Sequence, residues 1–196
     1  MTAAPIEAYQ PPHGGWTTDD LDDLPLDGYR RELLDGVLLV SPSPTDIHQI
    51  IAGRLMVTLE ETCPPQYQVT QGVEIRLSNR RSFIPDVLVT TDEAGARGGA
   101  KYAPHEVVLA VEIVSAGSAS MDRILKPQLY ATAGIPYFWR IETHSGLTVH
   151  THTLNATTQQ YAETGQWTTM IDLGEPWAIK LPIGRLAPRH LPPSAE

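Results

Sequence analysis

The spacing of apolar side chains along the chain predicts three helices. Ile47, Ile51 and Leu55 stand on one face of a 3.6-residue period, and Thr45 precedes them as a helix-capping residue. Because the apolar face of such a helix must pack on a core, this segment is expected to cover a sheet. The three predicted helices cover residues 17–24, 45–61 and 119–133.

Shorter apolar runs predict β-strands between and after these helices. Asp35-Gly36 joins two such runs, and this dipeptide is typical of a tight hairpin because both positions tolerate a positive φ. In the run that ends at Val114, side chains alternate between two faces, so Glu112 shares a face with Ala110 and points towards a covered surface. The predicted strands cover residues 31–34, 37–40, 67–77, 83–90, 107–114, 136–142 and 147–153, with further signals near residue 160 and over 167–171.

The order of these elements predicts a single domain of the mixed α/β class. The chain has 196 residues, of which 41% are hydrophobic and 19% charged, as in an ordinary globular protein. Helices stand before and after a group of strands, which predicts a central mixed sheet flanked by helices, with an N-terminal hairpin and C-terminal strands. The predicted organisation is a flexible lead-in over residues 1–15, one domain over 16–191 and a disordered tail over 192–196, and residues 92–101 are predicted to be a mobile loop.

Charge and cysteine content narrow the classes of function. The formal net charge of −9 disfavours broad, charge-driven binding of nucleic acid, although a local basic patch remains compatible with it. The single cysteine, Cys63, excludes an intrachain disulfide. No apolar run reaches the roughly 18 residues of a membrane helix, and the first ten residues lack the pattern of a secretory signal. We therefore expect a cytoplasmic protein that does not bind membranes.

Two acidic residues lie inside apolar runs that otherwise predict buried strands. Asp86 follows Phe83-Ile84-Pro85, and Glu112 lies within residues 107–114. A buried carboxylate costs several kcal/mol unless a partner compensates it, and a divalent cation shared by two carboxylates would do so. Oxygen ligands of this kind suit Mg²⁺ or Mn²⁺. The sequence therefore predicts a Mg²⁺ or Mn²⁺ site if the two strands are neighbours.

An ordered set of short motifs resembles a known family. The set is Glu32-Leu33-Leu34-Asp35-Gly36, His48-Gln49, Pro85-Asp86, Glu112-Ile113-Val114-Ser115, Asp122-Arg123 with Lys126 and Tyr130, and Gly134-Ile135-Pro136-Tyr137-Phe138-Trp139. In this order it resembles the Uma-type restriction endonucleases of the PD-(D/E)XK superfamily. The resemblance extends from about Trp16 to beyond Trp139, most of the chain.

The resemblance implies a restriction-endonuclease-like fold and metal-dependent hydrolysis of DNA phosphodiesters. Asp86 matches the metal-binding aspartate, Glu112 matches the second acid, and the carbonyl of Ile113 is implied as a further ligand. The superfamily usually places a lysine where this chain has Val114, and Lys126 on the following helix matches the displaced lysine. A metal ion would polarise the phosphate, and the lysine would neutralise developing charge.

Other residues receive secondary roles from the same resemblance. Glu32 matches an early acid that completes the site, His48 matches the family's histidine, and Asp122 belongs to the same motif as Lys126. Two active sites for two strands of DNA would favour a homodimer. A basic cluster before Asp86 is a candidate for contacts with DNA phosphates, although a solvated turn explains it equally well. This cluster consists of Arg76, Arg80 and Arg81.

Structural explanations compete with these roles. Asp86 after a proline is also explained as a turn residue, and Glu112 could be one half of a buried ion pair with Arg123 or Arg140. Asp122 and Lys126 stand four residues apart on a helix, where a surface salt bridge is the ordinary explanation.

A zinc site and the position of Pro127 also bear on the predicted function. His150 and His152 share a strand face, but no further ligand has the spacing of a zinc site. Pro127 would bend the helix beside Lys126, either aiming the lysine at the acids or spoiling the alignment. The alternative functions are therefore an inert nuclease-fold module that binds nucleic acid or protein, and a hydrolase of RNA or another phosphodiester.

Overall fold

The structure is a computed structural model that describes residues 10–25, 27–41, 43–115 and 117–189. The predicted lead-in over residues 1–15 lies largely outside this part of the chain, and the predicted tail over 192–196 lies wholly outside it. None of the helices in the described ranges is long and apolar enough to cross a membrane. The helices are α1 (Thr18–Asp22), α2 (Asp46–Glu60), α3 (Asp92–Ala96) and α4 (Lys126–Thr132).

The described strands form a six-stranded sheet, a five-stranded sheet and a small hairpin. In chain order they are β1 (Arg30–Leu34), β2 (Val37–Ser41), β3 (Tyr67–Gln71), β4 (Glu74–Ser78), β5 (Arg81–Phe83), β6 (Val87–Thr91), β7 (Lys101–Tyr102), β8 (Val107–Ile113), β9 (Tyr137–Glu142), β10 (Thr148–Asn155), β11 (Gln160–Trp167), β12 (Met170–Leu173) and β13 (Ile179–Pro182). The six-stranded sheet has the order β11-β10-β9-β8-β6-β3, and the five-stranded sheet has the order β2-β1-β5-β4-β7. Strands β8 and β9 pair in parallel, so the larger sheet is mixed as predicted.

Several helices and turns form where local sequence signals predicted them. Thr17 caps α1 by accepting a hydrogen bond from the Asp20 amide, and Thr45 caps α2 by accepting from the His48 amide. The turn between β1 and β2 places Asp35 and Gly36 at φ values of 50° and 83°, the conformation that Asp-Gly favours. The predicted hairpin and the predicted helix over residues 45–61 are therefore confirmed.

Two predicted strands are each divided between the two sheets. The run 67–77 breaks at Gly72, where a φ of 64° turns the chain from β3 of the larger sheet into β4 of the smaller one. The run 83–90 breaks at Ile84-Pro85-Asp86, between β5 and β6. Proline lacks the amide hydrogen that a continuous ladder needs. The chain therefore crosses between the sheets at two places, and Asp86 lies at one of them.

Two further expectations are corrected in the described residues. The predicted loop over residues 92–101 contains the short helix α3, because Thr91 caps it by accepting a hydrogen bond from the Ala94 amide. The predicted single helix over 119–133 is interrupted by a π-helical turn at Met121–Leu125, immediately before Pro127. The Lys126 amide bonds to Met121 O, five residues back. This wider turn accommodates the proline without ending the helix.

The larger sheet has a different covering on each face. On one face, Leu109, Val111 and Ile113 of β8 join the apolar cluster that includes Ile51 and Leu55 of α2. On the other face, a second apolar cluster brings α4 and the smaller sheet against it. The second cluster includes Ile75, Phe83, Leu88, Ala110, Tyr130 and Phe138. Glu112 alternates with Val111 and Ile113, as the sequence predicted, and so faces α4 and the smaller sheet.

Candidate active site

Three elements bring charged side chains together in the interior. Glu32 comes from β1, Glu112 from β8 and Lys126 from the start of α4, and their exposed fractions are 6%, 1% and 3%. Lys126 Nζ donates hydrogen bonds to Glu32 Oε1 and Glu112 Oε2, each at 3.1 Å. One ammonium group thus links an acid of the smaller sheet to an acid of the larger sheet, which holds the two sheets and α4 together at this point.

Tyr130 fixes the remaining oxygen of Glu112. Its hydroxyl donates to Glu112 Oε1 at 2.6 Å, and the side chain is fully buried. Tyr130 lies one turn after Lys126 on α4, so both residues face Glu112 from the same helix. Both oxygens of Glu112 therefore have a donor, as a buried carboxylate requires.

Asp86 is held at the place where the chain crosses between the sheets. Its Oδ2 accepts from the Ile113 amide at 2.7 Å and lies 3.1 Å from His48 Nε2. Its Oδ1 accepts from Arg30 Nη1 at 2.9 Å. The amide of Asp86 bonds to Val111 O at 3.0 Å, which extends the pairing of β6 with β8 and places the carboxyl group beside the end of β8.

Arg30 connects Asp86 to Glu32. It lies at the start of β1, two residues before Glu32, and Nη2 is 3.4 Å from Glu32 Oε1. Nη2 also donates to the carbonyl of Ile84. Since residues two apart in a strand share a face, the order Arg30-x-Glu32 places both charges towards the larger sheet.

Asp122 joins the cluster through Lys126. Its Oδ1 is 3.5 Å from Lys126 Nζ, and its Oδ2 accepts from the Ser118 hydroxyl. The Ser118 Oγ is in turn 2.8 Å from Ser115 Oγ. The Asp122–Lys126 pair expected on the surface is thus buried, with side-chain exposures of 3% and 4%.

Burial and neighbouring charges shift the pKa values in opposite directions. Burial would raise the pKa of Asp86, but His48, Arg30 and the Ile113 amide outweigh it and hold this pKa at about 2. Burial raises the pKa of Glu112 to about 8, against the opposing effect of Lys126. Burial would lower the pKa of Lys126, but its carboxylate neighbours raise it above the ordinary value. Lys126 therefore stays an ammonium ion.

The acidic cluster, as we call this group, carries more carboxyl groups than permanent cations. Within the described residues, four carboxyl groups meet two such cations, so two negative charges are unmatched when all four are ionised and His48 is neutral. The carboxyl groups are those of Glu32, Asp86, Glu112 and Asp122, and the cations are Arg30 and Lys126. An excess of buried negative charge favours binding of a cation.

A cavity of about 420 Å³ opens onto the acidic cluster. Asp86, Glu112 and Lys126 line it together with small hydroxyl side chains, including those of Ser41, Ser43 and Ser115. A second cavity of about 240 Å³ lies beside it, and Arg30, Pro44 and Asp86 line both. The cluster is therefore reachable from outside even though each of its acids is buried.

The residues fit a hard divalent cation by their chemistry, but every acid also has a protein partner. Carboxylate oxygens and the excess of carboxyl groups over permanent cations suit Mg²⁺ or Mn²⁺. Among the described residues, however, no three His, Cys, Asp or Glu side chains are already placed as a set around a metal position. The side chains of Arg30 and Lys126 provide the positive charge at these carboxylates instead.

Comparisons with known proteins place the chain in a family. A family profile described as "Uma2: Putative restriction endonuclease" matches residues 18–184. The chain belongs to this family. The family resemblance seen in the motifs is therefore confirmed over most of the chain.

A solved structure shares the fold of this Uma2-family chain. It is described as "a putative nuclease belonging to DUF820 from Anabaena variabilis ATCC 29413", and it matches with a TM-score of 0.68. The identity is 16%, over 87% of this chain and 96% of that chain. At this identity the likeness shows the fold, and it confirms the predicted mixed α/β fold of the nuclease type. A search of the curated proteins finds no match.

The structure brings together most of the residues predicted for the Uma2-type site. Asp86, Glu112 and Ile113 line the cavity with His48, and Lys126 reaches Glu112 despite the position of Pro127. Glu32 and Asp122 both approach Lys126. The alternative that Glu112 belongs to a buried ion pair is confirmed, but its partner is Lys126, and the suggested partners Arg123 and Arg140 are wrong. Arg123 donates to both oxygens of Glu142, and Arg140 lies 3.0 Å from the same carboxyl group.

The basic cluster predicted to contact DNA lies apart from the cavity. Arg76 pairs with Glu74 and Asp22, and Arg81 pairs with Asp35. Arg80 donates to the backbone carbonyl of Asp35. None of these arginines lines either of the two cavities at the acidic cluster. A role in DNA binding stays a prediction, and the contacts described here are those of a salt-bridged turn.

Sequence reasoning missed two members of the site in this Uma2-family protein. Arg30 received no role in the site from the sequence, although a charge two residues before Glu32 in a strand shares its face. Tyr130 appeared in the family motif without a role. Its spacing of four from Lys126 was the available signal, because such residues lie on one side of a helix.

Proposed function

We propose that this Uma2-family protein is a divalent-cation-dependent endonuclease that hydrolyses phosphodiester bonds in DNA. The observation that carries the proposal is that Asp86 and Glu112 line the same cavity, with Lys126 fixed between Glu112 and Glu32. Family membership supports a nuclease. The excess of buried carboxyl groups supports a bound cation.

Each residue would have a definite task in this reaction. Asp86 and Glu112 would hold Mg²⁺ or Mn²⁺, with the Ile113 carbonyl as a further ligand. The ion, when bound, would polarise the phosphate and acidify a water molecule. Lys126 stays protonated, so it would act as a fixed positive charge towards the phosphate and not as a base. Glu32 would hold the ammonium group in place.

Cleavage of a plasmid with Mg²⁺ and with Mn²⁺ tests this function. We expect the wild type to nick supercoiled DNA, and Asp86→Asn and Lys126→Met to lose this activity. Asp172→Asn is a matched control, because Asp172 is an exposed aspartate that pairs with Lys180 on the C-terminal hairpin. Absence of cleavage by the wild type with both metals, on several DNA substrates, would contradict the proposal.

The second candidate is an inert module that binds nucleic acid or a protein. It is favoured by the way in which Arg30 and Lys126 already neutralise Asp86 and Glu112. It predicts that the wild type and Asp86→Asn behave alike in the cleavage assay. Competition by single-stranded RNA against the plasmid distinguishes a third case, a hydrolase of RNA.

Association of two copies remains a proposal from the nuclease fold. Two chains would provide one active site for each strand of a duplex. Light scattering of the purified protein, with and without a DNA duplex, would show a doubled mass if the proposal is right and a single mass in both conditions if it is wrong.

A further inference from the structure

Arg30 differs from every other partner of Asp86. The Ile113 amide belongs to the backbone of β8, and the Nε2 atom of His48 approaches from α2, and both contact the Oδ2 oxygen. Arg30 alone, among the described residues, contacts Oδ1, at 2.9 Å. The one oxygen of Asp86 that is free of the backbone is therefore covered by a side-chain cation.

Arg30 is also the more exposed of the two cations in the acidic cluster. Its side chain is 22% exposed, whereas that of Lys126 is 4% exposed. Arg30 lies in the wall between the cavity of about 420 Å³ and the cavity of about 240 Å³. Gln49 and Gln71 line the second cavity, and their side-chain carbonyls are neutral acceptors for a guanidinium group. The arginine thus has space and acceptors next to its present position.

We propose that Arg30 is an exchangeable counter-ion of Asp86 that competes with the divalent cation. In the absence of the ion, the guanidinium group neutralises Oδ1 of Asp86. When the ion binds Asp86, the guanidinium group leaves Oδ1 and turns towards the second cavity, while Lys126 keeps its position. This inference rests on the proposed function, since it requires a divalent cation at Asp86.

Competition has a thermodynamic consequence that does not involve activity. Two cations that exclude each other from one carboxylate oxygen are negatively coupled, and removing one tightens the binding of the other. We expect Arg30→Gln to bind Mn²⁺ about fivefold or more tightly than the wild type, in the range typical of such coupling. The Mn²⁺ affinity of Arg30→Lys should lie between those of the wild type and Arg30→Gln. Lysine keeps the positive charge, but it lacks the planar guanidinium group that reaches two acceptors at once.

Titration of the full chain with Mn²⁺, followed by electron paramagnetic resonance, measures these affinities. Arg97→Gln is the matched control, because Arg97 is an exposed arginine that pairs with Glu106 and lies outside both cavities. It should bind Mn²⁺ like the wild type. Equal or weaker binding by a folded Arg30→Gln variant would overturn the inference, whereas no binding by either protein would overturn the metal-dependent function itself.

A measurement on the wild type keeps the inference testable if Arg30→Gln does not fold. The Nε–H signal of Arg30 in an NMR spectrum should shift and exchange faster with solvent when Mg²⁺ is added. The signal of Arg97 should not change. If Arg30 acts on the ion only through its long-range electric field, the Nε–H signal of Arg30 will not change. An unchanged signal would therefore also overturn the proposal that the ion displaces Arg30 from Asp86.

Discussion

Two polar clusters lie on the same face of the six-stranded sheet and differ in burial and charge balance. Glu112 is in register with Arg140, and Arg140 is in register with His150 on the next strand. Two strand spacings place the backbones of Glu112 and His150 roughly 10 Å apart. The histidine cluster, consisting of His150, His152 and Glu163, is thus a neighbour of the acidic cluster.

The sequence disfavoured a zinc site at His150 and His152, and in the structure their carboxylate partner is Glu163, an exposed side chain. Glu163 Oε2 lies 3.1 Å from His150 Nδ1 and 3.7 Å from His152 Nε2, and Glu163 is 48% exposed. His152 Nδ1 lies 3.3 Å from Phe138 O. Histidines can be neutral and water reaches the carboxylate, so this cluster needs no ion to balance it.

The difference shows what burial does to a polar group. In the acidic cluster, Lys126 is 4% exposed and must match three carboxylates without help from water. Any unmatched charge there costs free energy, and only a ligand, a proton or a protein cation can reduce the cost. Burial combined with an excess of acids is therefore the reason why the proposed function is assigned to the acidic cluster and not to the histidine cluster.

The largest expected effect is the loss of folding stability when Lys126 is removed. Lys126→Ala leaves Glu32, Glu112 and Asp122 buried without their cation, and we expect the free energy of unfolding to fall by about 3–5 kcal/mol. Lys101→Ala is the control, because Lys101 forms an exposed pair with Asp22 and should change stability by less than about 1 kcal/mol. Urea unfolding with a chelator measures both. Similar losses for the two variants would contradict the contrast.

Added Mn²⁺ should stabilise the protein through the acidic cluster alone. At a free concentration about 100 times the dissociation constant, a ligand that binds only the folded state adds about 2.7 kcal/mol. We expect the thermal midpoint to rise with Mn²⁺ in the wild type and not in Asp86→Asn. A double variant, His150→Asn with His152→Asn, should respond as the wild type does. A lost response in the double variant would assign the ion to the histidines.

Neutralising Glu112 should separate stability from activity. Glu112→Gln replaces a carboxyl group whose ionised form is disfavoured by burial, and its amide oxygen can still accept from Lys126 while the Tyr130 hydroxyl accepts from its amide group. We expect the metal-free variant to be more stable than the wild type by about 1 kcal/mol, with loss of plasmid nicking. Chemical denaturation with a chelator checks this. A destabilised variant would mean that Lys126 requires all its carboxylates.

The smallest expected effect concerns the pH dependence at His152. Burial lowers the pKa of His152 below its ordinary value, so the unfolded chain binds a proton more readily than the folded protein. Stability from this group is therefore complete above the ordinary histidine pKa and is lost as the pH falls through the folded-state value. We expect the loss to be below about 1 kcal/mol because solvent screens a partly exposed group.

A substitution isolates this contribution from that of the acidic cluster. His152→Phe keeps the ring contacts with Phe138 and Tyr161 but does not titrate. Urea unfolding at pH 7.5 and pH 5.5 should show a smaller change for this variant than for the wild type. Identical changes in the two proteins would show that folding does not shift the pKa of His152.

Local signals in the sequence were sufficient for many elements. The capped helix α2 and the Asp-Gly hairpin depend on contacts between residues a few positions apart, so their sequences determined them. The division of two predicted strands between sheets was missed. Gly72 and Pro85 marked the breaks, but a glycine or proline in a strand does not tell whether the chain continues in the same sheet.

The sequence by itself determined which residues could form a site, and the tertiary structure decided how they are paired. The order of motifs along the chain identifies Asp86, Glu112 and Lys126 as a set. Only the fold showed that Lys126 bonds both to Glu112 and to Glu32, and Glu32 lies 94 residues before Lys126 in the chain. It also placed Arg30 on Asp86. The physical reason is that electrostatic partners depend on distance and burial, which contacts between distant segments create and local patterns do not contain.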